Sequence, residues 1–122
     1  MGSFNDIFNG RLREWSLGPP VHIVMASNTL TIPAGTRSYI AVHGESEAAD
    51  QLDTITKADA KAGDLLLLTN AIAGDLTVDD ANINLGAATR ALSETGGSHL
   101  LLIYDSVQSE WTELLFVNAD NV

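Results

Sequence analysis

The rhythm of apolar positions in this chain changes once, near residue 20. Before that point Phe4, Ile7, Phe8, Leu12 and Trp15 recur near helical spacing and form one apolar stripe. Ser3 and Asp6 stand where a helix cap belongs, Gly10 in the middle costs about 1 kcal/mol, and Pro19 with Pro20 ends the pattern. Residues 1–20 therefore read as a short N-terminal helical arm. A helix of this length is marginal in water unless its stripe is covered. Two covers are open: the chain's own domain, or a partner protein, in which case these five residues are the partner-binding arm.

From Val21 onward the pattern is short and β-like. Val21 to Met25 and Thr29 to Ile32 are strand candidates around a Ser27-Asn28 turn, and "PAGT" at 33–36 turns the chain into Ser38 to His43. "LLLL" at 65–68 reads as a central strand, buried on both faces or lying in a subunit interface. Leu76 to Val78 and Ile83 to Leu85 follow. His99 to Tyr104 and Glu110 to Phe116 then make a closing hairpin, with Trp111 and Leu114 or Leu115 on its buried side. Leu66, Leu68, Leu101, Ile103, Trp111 and Leu114 are the candidate core or subunit-interface residues. Trp111 is favoured for the core, because a lone tryptophan on an alternating strand faces inward.

Residues 44–64 break the pattern. They hold many small and charged residues, with Leu52 and Ile55 three apart, which predicts a long crossover carrying one helical turn around Asp50 to Ile55. Two copies of "AGDL", at 62–65 and 73–76, each put a Gly-Asp turn before a strand and are too short to define a repeat. The expected architecture is all-β: a small antiparallel sandwich or jelly-roll-like barrel over 21–122, preceded by the arm.

Charge narrows the partners. The chain has 122 residues and a net charge of -10, from 16 acidic against 6 basic side chains. A nucleic-acid partner needs a basic face, and an anionic membrane disfavours so acidic a surface. No apolar run reaches the ~18 residues of a membrane span. The first ten residues lack the basic and apolar regions of a secretory signal, and Asp6 occupies the position where myristoylation calls for Ser or Thr.

Candidate chemistry is sparse. There is no cysteine, so disulfides and thiolate metal sites are out. His22, His43 and His99 lie in or beside separate strands with no local metal spacing. Asp75, Asp79, Asp80, Asn82 and Asn84 are rich in oxygen ligands but lack the calcium-loop order, and read first as a hairpin turn. Glu110 and Glu113 point to opposite faces of one strand and cannot share a scissile bond. The expectation is a protein without catalytic residues, metal or cofactor.

Five stretches in succession carry a resemblance: "TLTIPAGTRSYIAV", "AADQLDTI", "AGDLLLL", "LTVDDANINLG" and "HLLLIYDSVQSEWTEL". In this order they resemble a β module of tailed-bacteriophage virion proteins, found in fibre and spike tips and small capsid-surface proteins. The likeness runs from about Asn28 to Phe116. The chain departs from the pattern in a longer turn after Asp105 and in Asp79-Asp80 where the module has Lys-Asp. The resemblance implies a homotrimeric, virion-located module with a binding or architectural role. Its partner would be the major capsid protein for a decoration (cement) protein. For a receptor-binding tip that reads host glycan, it would be a tail or baseplate protein.

Overall fold

The computed structural model describes residues 17–45, 50–72, 74–93 and 97–118, and these form eleven strands. They are β1 (Val21–Val24), β2 (Thr29–Ile32), β3 (Tyr39–His43), β4 (Asp50–Leu52), β5 (Thr54–Lys57) and β6 (Leu65–Asn70). β7 (Leu76–Val78), β8 (Ile83–Asn84), β9 (Arg90–Leu92), β10 (His99–Asp105) and β11 (Glu110–Val117) complete the set. The arm residues Phe4, Ile7, Phe8, Leu12 and Trp15 lie outside the described residues. The all-β expectation holds; the purely antiparallel one does not.

Three sheets surround one core. Sheet A has the order β1-β3-β6-β10-β11-β8, sheet B pairs β2 with β5, and sheet C runs β4-β7-β9. β2, β3 and β4 visit sheets B, A and C in turn, and β5, β6 and β7 repeat the circuit one layer on. Each strand of the first coil is therefore parallel to its counterpart in the second. Thr29 lies beside Thr54, Ile40 beside Leu68 and Asp50 beside Leu76, separations of 25, 28 and 26 residues. β1 and β8 add parallel pairs to β3 and β11, and only β9, β10 and β11 bring antiparallel pairing.

This winding explains the failed helical turn. Leu52 and Ile55 are both buried, but in different sheets, on either side of a corner at Asp53. Their spacing of three comes from a bend in the coil, and the β-branched Thr54-Ile55-Thr56 run suits a strand. The Ser27-Asn28 turn is present as read, both residues having positive φ of 52° and 59°. Such a conformation closes a two-residue turn.

Inward side chains alternate along the strands: Leu30 and Ile32, Ile40 and Val42, Leu66 and Leu68, Leu76 and Val78, Leu100 and Leu102 are all buried. Trp111 joins them at 1 % exposure, its ring 4.9 Å from that of Tyr104, so it plugs the core. The coils stop at Asn82. The backbone of 79–82 begins a third layer, with Asp79 N–H donating to Leu52 O and Ala81 N–H to Asp53 O. There the Asn82 amide replaces a strand: its Oδ1 accepts from Ile55 N–H at 2.9 Å and its Nδ2 donates to Ile55 O at 2.7 Å.

Candidate functional site

The outer face of sheet A is built from the residues that alternate with the core. Register places Tyr39, Leu67, Leu101 and Leu115 in one row across β3, β6, β10 and β11. Leu65 and Ile103 form a second row, and Thr69, His99 and Val117 a third. Leu67, Leu101 and Ile103 are half-buried, and Leu65 is 43 % exposed. Leu17, Ser38, Leu65, Leu67 and Leu101 line a shallow apolar groove of about 360 Å³ on this face. Of the candidate core or subunit-interface residues, Leu66 and Leu68 lie in the core, whereas Leu101 and Ile103 point away from it. The sequence could not tell Leu101 and Ile103 from their neighbours, because the apolar run from His99 to Tyr104 carries no alternation.

Beside the groove stands a ridge. Leu114, Leu115 and Val117 are 54, 56 and 48 % exposed, which removes Leu114 and Leu115 from the interior. The cause is a β-bulge: the β10–β11 register shifts between Leu101 and Leu102, so Leu102 faces Glu113 while Leu101 faces Leu115. One extra residue on β11 reverses the expected alternation. Phe116 packs against the core instead, and Glu113 takes an inward position.

Glu113 is held there by Arg90 of β9 through two hydrogen bonds, Nε to Oε1 at 2.7 Å and Nη2 to Oε2 at 2.8 Å. The guanidinium lies 4.8 Å from the Phe116 ring centre. Hydrogen bonding to Arg90 holds the Glu113 carboxyl below its ordinary value and raises Arg90 above its own. A Cβ on Gly86 would come within 2.7 Å of Glu113 Oε2, so the absence of a side chain at residue 86 makes room for the pair. This clamp ties sheet C to β11 and fixes the strand that carries the ridge.

The histidines are less isolated than their sequence positions suggest. The parallel β1–β3 pairing brings His22 Nδ1 to 2.6 Å from His43 Nε2, and Tyr39 Oη lies 3.2 Å from His99 Nε2. No local spacing could announce a contact made between parallel strands. Among the described residues no group of three or more His, Asp or Glu side chains is arranged to hold a metal. Gln51 occupies the acidic loops, donating to Asp53 at 2.7 Å and to Asp79 at 3.2 Å.

A second, polar cleft of about 270 Å³ opens at one end of the sheet, lined by Thr36, Ser38, Lys57, Asp59, Lys61, Asp64 and Leu65. Lys57 bonds Asp59 at 2.5 Å, and that bond lowers the Asp59 pKa. Asp59 also accepts from Gly35 N–H at 2.9 Å. The cleft's best-placed cation and carboxylate are thus paired with each other. Among the described residues no helix is long and apolar enough to cross a membrane. No protein-family model, curated protein or solved structure matches the chain.

Proposed function

We propose that this protein is a structural component of a tailed-phage virion, most specifically a capsid decoration (cement) protein. It binds the major capsid protein on the head surface as a homotrimer and stabilises the coat lattice. Its role is architectural, without catalysis or a cofactor. In this reading the three sheets form a small sandwich-like barrel, and residues 1–20 are the arm that engages the coat.

One observation carries the reading: a chain of net charge -10 keeps a leucine-rich sheet face open to solvent. A contiguous apolar face on so acidic a molecule marks a protein–protein surface. The succession of motifs from Asn28 to Phe116 supplies the phage context. Binding only to the assembled lattice would stabilise that lattice by mass action.

The polar cleft favours a second reading, a receptor-binding fibre or spike tip, since its hydroxyl, ammonium and carboxylate groups suit sugar hydroxyls. Against it, Trp111 is buried and both tyrosines are half-buried in strands, so none of the three offers an open stacking platform. Co-sedimentation with undecorated phage heads tests the first reading, comparing the full chain with a deletion of residues 1–18. Saturable binding at a fixed ratio to coat protein, lost on deletion, is expected. An intact protein that ignores heads but binds glycan would transfer the assignment to the tail tip.

A further inference from the structure

We propose that the outer face of sheet A is the surface through which copies of this chain pack against one another, the leucine ridge of β11 seating in a neighbour's groove. The inference rests on the trimeric reading above and names the surface that reading requires.

Charge selects a second copy as the occupant. Like-charged molecules at -10 each repel everywhere that carboxylates face each other. Among the described residues the middle of this face has none: Leu65, Leu67, Leu101, Ile103, Leu115 and Val117 make up its outward side. Asp105 and Glu110 sit at its margin, where the hairpin turns. Among the described residues its centre carries no Lys or Arg either, Arg37 standing at the margin beside Gly18, so the centre offers nothing to an oppositely charged partner. A neutral apolar patch on a strongly acidic chain is complementary chiefly to itself.

Shape agrees. The groove lined by Leu17, Leu65, Leu67 and Leu101 lies one strand from the Leu114–Leu115 ridge. A projection and a hollow side by side on one surface make a heterologous contact, which closes into a ring when the rotation permits. Pairing through the backbone is the weaker option. The β11 edge is covered by β8 at Trp111 and Thr112 and kinked by the bulge beyond them, a device that blunts strand addition. The copies therefore meet through side chains, face to face.

The absence of native cysteine allows a direct test on the full-length chain. Leu115→Cys places a thiol on the ridge, Leu67→Cys places one in the groove that the ridge would meet, and Val107→Cys places one on the 89 % exposed hairpin turn as a control. The effective concentration of two thiols held in one interface is about millimolar, so at about 10 µM of each chain a mixture of Leu115→Cys with Leu67→Cys should cross-link ~100-fold faster than a mixture of Val107→Cys with Leu67→Cys. Sedimentation should show an oligomer for the wild type and a monomer with unchanged circular dichroism for Leu115→Glu.

Equal cross-linking rates would overturn the proposal, as would an oligomer that survives Leu115→Glu. A wild-type monomer whose Leu115→Cys thiol is protected from labelling would overturn it too, and would make residues 1–16 the cover. Head binding separates this inference from the virion reading. A protein that trimerises through this face yet ignores heads sinks only the latter. A protein that decorates heads with Leu115→Glu still oligomeric sinks only the former.

Discussion

The Asn82 side chain stands in for an entire strand, and that substitution has a measurable consequence. Ile55 is 1 % exposed, and both of its main-chain polar groups are satisfied on one side by the Asn82 amide, at 2.9 and 2.7 Å. Asn82→Ala removes both partners at once. An interior main-chain group left without a partner costs about 1–3 kcal/mol, so the pair sets a range of roughly 2–6 kcal/mol. Asn82 is itself half-buried, and water entering the vacated volume would recover part of that. The expected loss is about 2–4 kcal/mol. With a urea m-value near 2 kcal/mol per M, the midpoint should fall by about 1–2 M at unchanged m.

Asn82→Asp sharpens the test by changing one atom. The carboxylate can still accept from Ile55 N–H, but its second oxygen faces Ile55 O where a donor stood. Repulsion from that carbonyl raises the folded-state pKa of the new carboxyl above its unfolded value. Protonation then restores a donor, so the variant should regain stability relative to the wild type as pH falls through the raised pKa. Urea unfolding followed by circular dichroism at pH 7 and near pH 4 measures both effects. An Asn82→Ala midpoint within about 0.3 M of the wild type would refute the reasoning. It would mean that β5 has no need of a third-layer partner.

Two further predictions come from the same hydrogen-bond geometry. The Glu113 carboxyl, held below its ordinary value by Arg90, contributes stability that is present above that ordinary value and lost as pH falls through the depressed pKa. Glu113→Gln should therefore be less stable than the wild type by about 1 kcal/mol at pH 7, the gap closing in acid; a gap constant with pH would refute it. Asn70 is buried, donates to Gly74 O at 2.8 Å and Leu92 O at 2.9 Å, and accepts from Ile72 N–H at 2.8 Å. Asn70→Ala should cost about 2–4 kcal/mol in urea unfolding, and a loss under about 0.5 kcal/mol would show that water substitutes for the amide.

Most strands were legible because they depend on local chemistry: Ser27-Asn28 suits positive φ, and the Gly-Asp turns precede β6 and β7, whereas β4 and β5 read as a helical turn and β9 went unread. Strand partnership was not legible. Parallel neighbours stand 25 to 28 residues apart, and nothing in "TLTI" announces that it pairs with "TITK". Antiparallel neighbours joined by a tight turn are the natural reading of short strands. They were right only for β10 and β11, whose connection is short. The same distance hid the His22–His43 contact and the Arg90–Glu113 clamp, each made by residues from separate strands. For the leucines the obstacle was composition. Leu66 and Leu68 were named from the run at 65–68, but in the unbroken apolar run at 100–103 only the backbone decides that Leu100 and Leu102 are the core pair.

The ends of the coil bear on where this protein can associate. A solenoid-like stack exposes unpaired backbone at each end, and proteins blunt such edges with short strands, bulges or covering segments. Here one end is closed by Asn82 and by the β10–β11 hairpin, whose free edge carries the bulge. Among the described residues the other end presents the four residues of β1, the four of β2 and the three of β4. Every place where the main chain could recruit another strand is thus short, kinked or capped by an amide. The side-chain face of sheet A is the opposite case: broad, apolar and without charge at its centre. Backbone-directed assembly would build open-ended ladders, whereas packing through a fixed ridge and groove can close on a small number of copies. The placement of the bulge therefore does two things at once. It removes the edge as a docking site and turns Leu115 outward beside Leu114 to form the face that replaces it.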